Sequence, residues 1–231
     1  MSSIKNNLQE IYASMENAAK KSGRKFSDIS LIGVTKTIDK ERIKELVSLG
    51  VKNLGESRVQ EFCPKHSDLD KNINWHFIGN LQTNKVKYIV GKVSLIHSVN
   101  SAKLANEINK QAHKMNIVQD VLLEVNAFGE ETKMGLAEKD INNVVEQIAK
   151  LPNIKLKGLM AIAPHVEDPQ KTRFFFESLK EIFVDISRIR TDNIDMKFLS
   201  MGMTNDYEVA IESGANMIRI GTGIFRDEDI R

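Results

Sequence analysis

Three places in this 231-residue chain carry side chains that could do chemistry together. Lys36 closes the apolar run 29–35. An amine at the end of a buried strand is drawn partly out of water, which favours its uncharged form and frees the lone pair for a Schiff base. An ordinary surface lysine fits the same pattern. Near the other end, Lys197-Phe198-Leu199-Ser200-Met201-Gly202-Met203-Thr204 and Met217-Ile218-Arg219-Ile220-Gly221-Thr222-Gly223 are two short apolar runs that stop at small residues. A strand that ends at glycine where a helix begins aims backbone N–H groups at one spot, an anion site. The hydroxyls of Ser200 and Thr222 and the amides of Gly202, Met203, Gly221 and Thr222 are the candidate ligands. Plain helix capping by Ser200 and Thr204 is the alternative. Arg219 points inward if Ile218 and Ile220 face outward. A buried arginine needs a partner. A carboxylate such as Glu56 or Asp206 could serve, and so could the ring nitrogen of an aromatic cofactor.

These residues need a scaffold that brings both chain ends together. Apolar strands are expected at 29–35, 51–55, 74–79, 93–99, 118–125, 154–160, 196–199 and 217–220. Helical spacing fills 39–49, 56–62, 80–88, 101–115, 137–150, 170–190 and 205–213. Strands of continuous apolar residues, such as 118–125, are covered on both faces. Eight strands alternating with these seven helices predict a single (β/α)8 TIM-type barrel of the α/β class over residues 1–231. An extra N-terminal helix at 3–21 is expected to cover one end or side of it. Residues 126–135 form the longest polar interruption up to that point and read as a loop. In such a barrel chemistry sits at the C-terminal strand ends, and a phosphate site after strands seven and eight is frequent.

Composition narrows the partners. Lys plus Arg total 33 against 31 Asp plus Glu, a net charge of +2, with the basic residues spread through the chain. That balance argues against nucleic acid or a membrane surface. Cys63 is the single cysteine, so an internal disulfide and a four-thiolate metal site are both excluded. The five histidines lack His-x-His or His-x-x-x-His spacing. No apolar run reaches the ~18 residues of a membrane span, and the first residues, with Lys5, Glu10 and Glu16 and no apolar block, are unlike a secretory signal. A cytoplasmic protein is expected.

The chain resembles the pyridoxal phosphate homeostasis proteins, a family with an alanine-racemase-like barrel. The likeness is carried by Gly33-Val34-Thr35-Lys36, Gly55-Glu56-Ser57-Arg58, Trp75-His76-Phe77-Ile78-Gly79-Asn80-Leu81-Gln82-Thr83-Asn84-Lys85, Lys157-Gly158-Leu159-Met160, Leu199-Ser200-Met201-Gly202-Met203-Thr204-Asn205-Asp206 and Arg219-Ile220-Gly221-Thr222-Gly223-Ile224-Phe225. The resemblance implies that pyridoxal 5′-phosphate is held by Lys36 as an internal aldimine. Ser200 and Thr222 would hold the phosphate, and Arg219 would face the pyridine nitrogen. Asn53, His76 and Met160 would line the ring. It further implies a role in vitamin B6 and amino-acid homeostasis with little or no catalysis, and B6-dependent apoenzymes as partners.

The alternative within the same fold is a fold-type III amino-acid racemase. Such racemases use a tyrosine base together with a second β-domain. No such domain is expected in this chain, so the usual racemase dimer surface would be missing and a monomer is expected; Tyr12, Tyr88 and Tyr207 do not match that tyrosine. A Schiff-base aldolase of sugar phosphates and a ligand-free interaction barrel are further readings. Ser57 stands where the family commonly has Asn, and Thr204 where it commonly has Ser.

Overall fold

The computed structural model describes residues 3–126, 135–164 and 166–227. Eight parallel strands close into a barrel: β1 (Ser30–Val34), β2 (Asn53–Glu56), β3 (Asn74–Phe77), β4 (Leu95–Val99), β5 (Gln119–Asn126), β6 (Ile154–Met160), β7 (Ile194–Ser200) and β8 (Met217–Ile220). Each strand pairs with the next, and β8 returns to β1. The helices are α1 (Ser3–Lys21), α2 (Lys40–Ser48), α3 (Val59–Asp68), α4 (Ala102–Lys114), α5 (Glu138–Ile148), α6 (Arg173–Ser187), α7 (Tyr207–Glu212) and α8 (Thr222–Phe225). The fold is the (β/α)8 barrel with an added N-terminal helix, as the alternation predicts.

Local chemistry sets the helix starts. Asp39 caps α2 by accepting from the Arg42 N–H at 2.9 Å, and Ser101 caps α4 by accepting from the Leu104 N–H at 3.2 Å. The apolar face of α1, from Ile4 through Leu8, Ile11 and Met15 to Ala19, is buried against α7 and α8. Three segments differ from the sequence expectation. Glu56 ends β2 instead of opening a helix. The helix expected at 80–88 is a 3₁₀ turn, Thr83–Tyr88, preceded by extended backbone at Gln82. A two-residue strand, Leu136–Ala137, pairs with the end of β5. Most of the loop expected at 126–135 lies outside the described residues.

Strand alternation builds two layers. Outward residues such as Leu31, Leu54, Phe77, Ile96, Leu123, Leu159, Ile218 and Ile220 join the helices in the main core. Burying one such side chain contributes roughly 1.5–3 kcal/mol. Inward residues Ile32, Leu95, Leu122, Met160 and Met217 form a smaller apolar plug on the barrel axis, with Phe198 against it. Arg219 pairs in register with Ile32, so it shares the inward face of that plug. Glu124 aligns with Met160, and Met160 with Ser200. Towards the C-terminal ends, the interior therefore changes from apolar to polar.

Candidate functional site

A cavity of about 460 Å³ opens at the C-terminal ends of the strands. Its size falls within the range of about 300–1,000 Å³ common for small-molecule sites. Lys36, Met203, Arg219, Gly221 and Thr222 line it, together with Ser57, Ile78, Ala163, Thr204 and Asp206. Barrel closure thus brings Lys36 into one space with residues more than 180 positions later.

Lys36 follows β1 on a turn held from behind. Thr37 has φ of 63°, a left-handed backbone unusual for a β-branched residue. Its N–H donates to Glu61 Oε2 at 2.7 Å. Lys65 Nζ donates to the Thr35 carbonyl at 2.7 Å and to Glu56 Oε2 at 2.8 Å. Glu56 is the partner of Lys65, not of Arg219. The Lys36 side chain is exposed at the cavity mouth. The burial expected at the end of an apolar run is not met, because Lys36 lies two residues beyond the last residue of β1.

At the opposite wall, Thr204 and Thr222 meet through their hydroxyls at 3.0 Å, and the Gly223 N–H donates to Thr204 Oγ1 at 3.3 Å. Asp206 folds the β7 turn by accepting the Met203 N–H at 2.6 Å, and burial raises its carboxyl pKa. A side chain at Gly223 would force its neighbours to shift. A Cβ would lie 2.9 Å from Ile220 Cγ2 and 3.1 Å from Thr204 Cγ2. Gly79 has a similar role at the rim, where a Cβ would sit 2.1 Å from the Ser57 carbonyl oxygen.

Arg219 is buried, and its Nη1 donates to Ser200 Oγ at 2.7 Å while Nη2 donates to the Ala161 carbonyl at 2.9 Å. Burial pushes its pKa down to about 10, against the pull of Asp206 and Glu124. The guanidinium therefore stays charged near neutrality. Asp206 acts on it as a nearby charge; the hydrogen bonds go to Ser200 and Ala161.

The structure separates the other expected site residues from this cavity. Ser200 turns its hydroxyl into the barrel, toward Arg219 and His97, because the last residue of β7 alternates inward. His76 is buried, with Nδ1 3.0 Å from His97 Nε2. Met160 belongs to the axial plug. Gly202 shapes the turn with φ of 93° and accepts the Arg219 N–H through its carbonyl. Asn53 is the first residue of β2, so it lies at the opposite barrel mouth, where it accepts from Asn74 Nδ2 at 3.2 Å. Sequence reasoning gave Thr204 no site role beyond capping, and placed His97 near the end of the fourth strand without giving it a role. His97 was detectable: it follows His76 by 21 residues, one strand–helix repeat, at the same inward parity. Among the described residues, no helix is long and apolar enough to cross a membrane, and no group of three or more His, Cys, Asp or Glu could hold a metal.

The fold and the site define a (β/α)8 barrel with a lysine after its first strand and a hydroxyl-lined turn after its last. Residues 4–229 match the family model described as alanine racemase, N-terminal domain. The pyridoxal phosphate homeostasis protein of Aquifex aeolicus is 47% identical over 219 residues, covering 94% of this chain and 95% of that protein. Among solved structures, an unknown protein from Bifidobacterium adolescentis superposes with a TM-score of 0.90 at 34% identity, covering 96% of this chain and 94% of that one. PipY of Synechococcus elongatus, in the form described as having PLP bound, gives a TM-score of 0.79 at 30% identity, covering 86% and 92%. The chain belongs to the pyridoxal phosphate homeostasis protein family.

Proposed function

We propose that this protein is a pyridoxal 5′-phosphate-binding barrel acting in vitamin B6 and amino-acid homeostasis, with little or no catalysis of its own. The observation that carries the reading is the convergence of Lys36, Arg219 and the Thr204–Thr222 pair on one cavity. That donor set fits the cofactor group by group: an amine for an aldehyde, a guanidinium for a ring nitrogen, and hydroxyls beside a glycine turn for a phosphate. Gly221 and Gly223 keep the cradle open, since a Cβ at either would press on Val34 or Thr204.

When bound, pyridoxal phosphate supplies an aldehyde that forms an imine with an amine and a ring that can withdraw electrons from an attached amino acid. Lys36 lines the cavity and would offer Nζ as that amine. Thr222 and Thr204 would hold and orient the phosphate with their hydroxyls. Arg219 keeps its own protons and only donates, so it would leave a ring nitrogen beside it unprotonated and the ring a poor electron sink. None of Tyr12, Tyr88 and Tyr207 lines the cavity.

The test is visible absorbance of the purified protein before and after borohydride, followed by mass mapping of the reduced adduct. The chromophore is expected to bleach with one modification, on Lys36, and the Lys36→Ala protein to carry none. Modification at another lysine, or enzymatic exchange of the α-proton of alanine in deuterated water, would overturn this reading.

A further inference from the structure

Arg219, Ser200, His97 and His76 form a continuous hydrogen-bonded line through the barrel interior, from β8 across β7 and β4 to β3. The successive distances are 2.7 Å, 3.1 Å and 3.0 Å, and all four side chains are buried. Proton accounting gives this line a direction. An arginine only donates, so Ser200 Oγ must accept from Nη1. Ser200 has one hydroxyl proton, and the His97 ring is the acceptor in reach. If His97 instead carried its proton on Nδ1, Ser200 would accept twice and its own buried proton would face no acceptor. The arrangement that leaves the serine proton paired puts the His97 proton on Nε2, donated to His76 Nδ1, and leaves His76 protonated on Nε2. Burial keeps both imidazoles neutral near pH 7.

We propose that His97 is a positioning residue. By accepting the Ser200 proton at Nδ1, it turns the serine lone pairs toward Arg219 and locks the guanidinium in the orientation it presents to the cavity. With Nη1 spent on Ser200 and Nη2 on Ala161, the remaining N–H groups of Arg219 have one fixed disposition toward a bound ring. The part that concerns the ring rests on the function proposed above; the proton assignment does not.

Two measurements separate these parts. The first is imidazole nitrogen NMR of the ligand-free wild-type protein at neutral pH. It is expected to show both His97 and His76 as neutral Nε2–H tautomers. A proton on His97 Nδ1, or a doubly protonated His97, overturns the proposal whether or not any cofactor binds. The second compares affinity for pyridoxal phosphate with affinity for its analogue carrying carbon in place of the ring nitrogen. Wild type is expected to prefer the true cofactor by about tenfold or more, the worth of a hydrogen bond to a charged group. His97→Phe and Ser200→Ala are expected to lose most of that preference. His97→Asn, which returns an acceptor near the Nδ1 position, is expected to keep it. A merely structural role weakens both ligands alike and leaves the ratio unchanged, which would sink the idea. Failure of wild type to bind either ligand would instead refute the proposed function. Should His97→Phe not fold, Ser200→Ala carries the comparison.

Discussion

The Glu56 carboxylate and the Lys65 ammonium meet at 2.8 Å between the barrel and α3, with side-chain exposures of 0% and 8%. The pair braces the turn that presents Lys36. Lys65 also donates to the Thr35 carbonyl, and Glu56 accepts from Thr35 Oγ1 at 3.0 Å and from the Ser57 N–H at 2.8 Å. Two neighbouring strand ends, one carrying Lys36 and one carrying Ser57, are thereby tied to a single buried charge pair.

Removing one member of that pair leaves a buried charge alone. Lys65→Met is expected to destabilise the fold by about 3–5 kcal/mol, with the Glu56→Gln/Lys65→Met double variant recovering much of the loss. Urea denaturation of the two proteins measures it. Equal stabilities for the single and double variants would show that the charges are not coupled. The Thr37 turn should loosen as well, because Lys65 also reaches Glu61 Oε2 at 3.2 Å.

Asn7 joins the two ends of the chain. Its Nδ2 donates to the carbonyls of Ile224 and Arg226, both at 2.9 Å, and its Oδ1 accepts from Arg226 Nε at 3.1 Å. Ile224 sits in α8, the helix that opens with Thr222. Asn7→Ala leaves carbonyls of the C-terminal turn without these donors and is expected to cost about 1–3 kcal/mol. Phosphate competition against the bound cofactor should also become easier. A variant with unchanged thermal unfolding and unchanged phosphate affinity would mean that α1 is a passive cover.

Acid should act through the buried imidazoles. Burial holds His76 at about 4 in the folded protein, against an ordinary value of 6.5. As pH falls through this window the unfolded chain takes up the proton first, so stability present above 6.5 is lost progressively down to about 4. The loss from His76 alone is about 3 kcal/mol. His97, lowered by burial and then by the charges of His76 and Arg219, acts in the same direction. Glu124 and Asp206, raised by burial, act in the opposite one: the folded protein keeps their protons longer as pH rises. Equilibrium unfolding across this range should show a decline on the acid side that is shallower in His76→Gln. An identical slope in that variant would remove His76 as the cause.

Much of the frame was legible because its signals are local. The alternation of short apolar runs with helical spacing points to a barrel, and the stop at Gly221 points to a turn after the last strand. The inward direction of Arg219 follows from its neighbours Ile218 and Ile220, both of which do pack outward. The site was less legible. Ser200 and Thr204 lie four residues apart with the same kind of side chain, and sequence alone does not say which hydroxyl reaches the cavity. In the fold Ser200 ends a strand facing the axis, while Thr204 lies beyond the Gly202 turn and meets Thr222. Asn53 was misplaced for a related reason. Strand two begins at Asn53, so this residue opens onto the mouth opposite the one where Lys36 and Thr222 meet.

By itself the sequence determined the barrel, the family and the three kinds of chemistry available: an amine, a guanidinium and hydroxyls beside glycine. These depend on periodicity and on residue types at short spacing. Only the tertiary structure decided that Lys36 is exposed rather than buried, that Glu56 answers Lys65 instead of Arg219, and that His76, His97 and Ser200 stand behind the arginine. Those outcomes depend on where each strand starts and ends and on which neighbour the closed sheet sets beside it. A side chain's partner is chosen by register across strands, and register becomes definite only when the ring is complete.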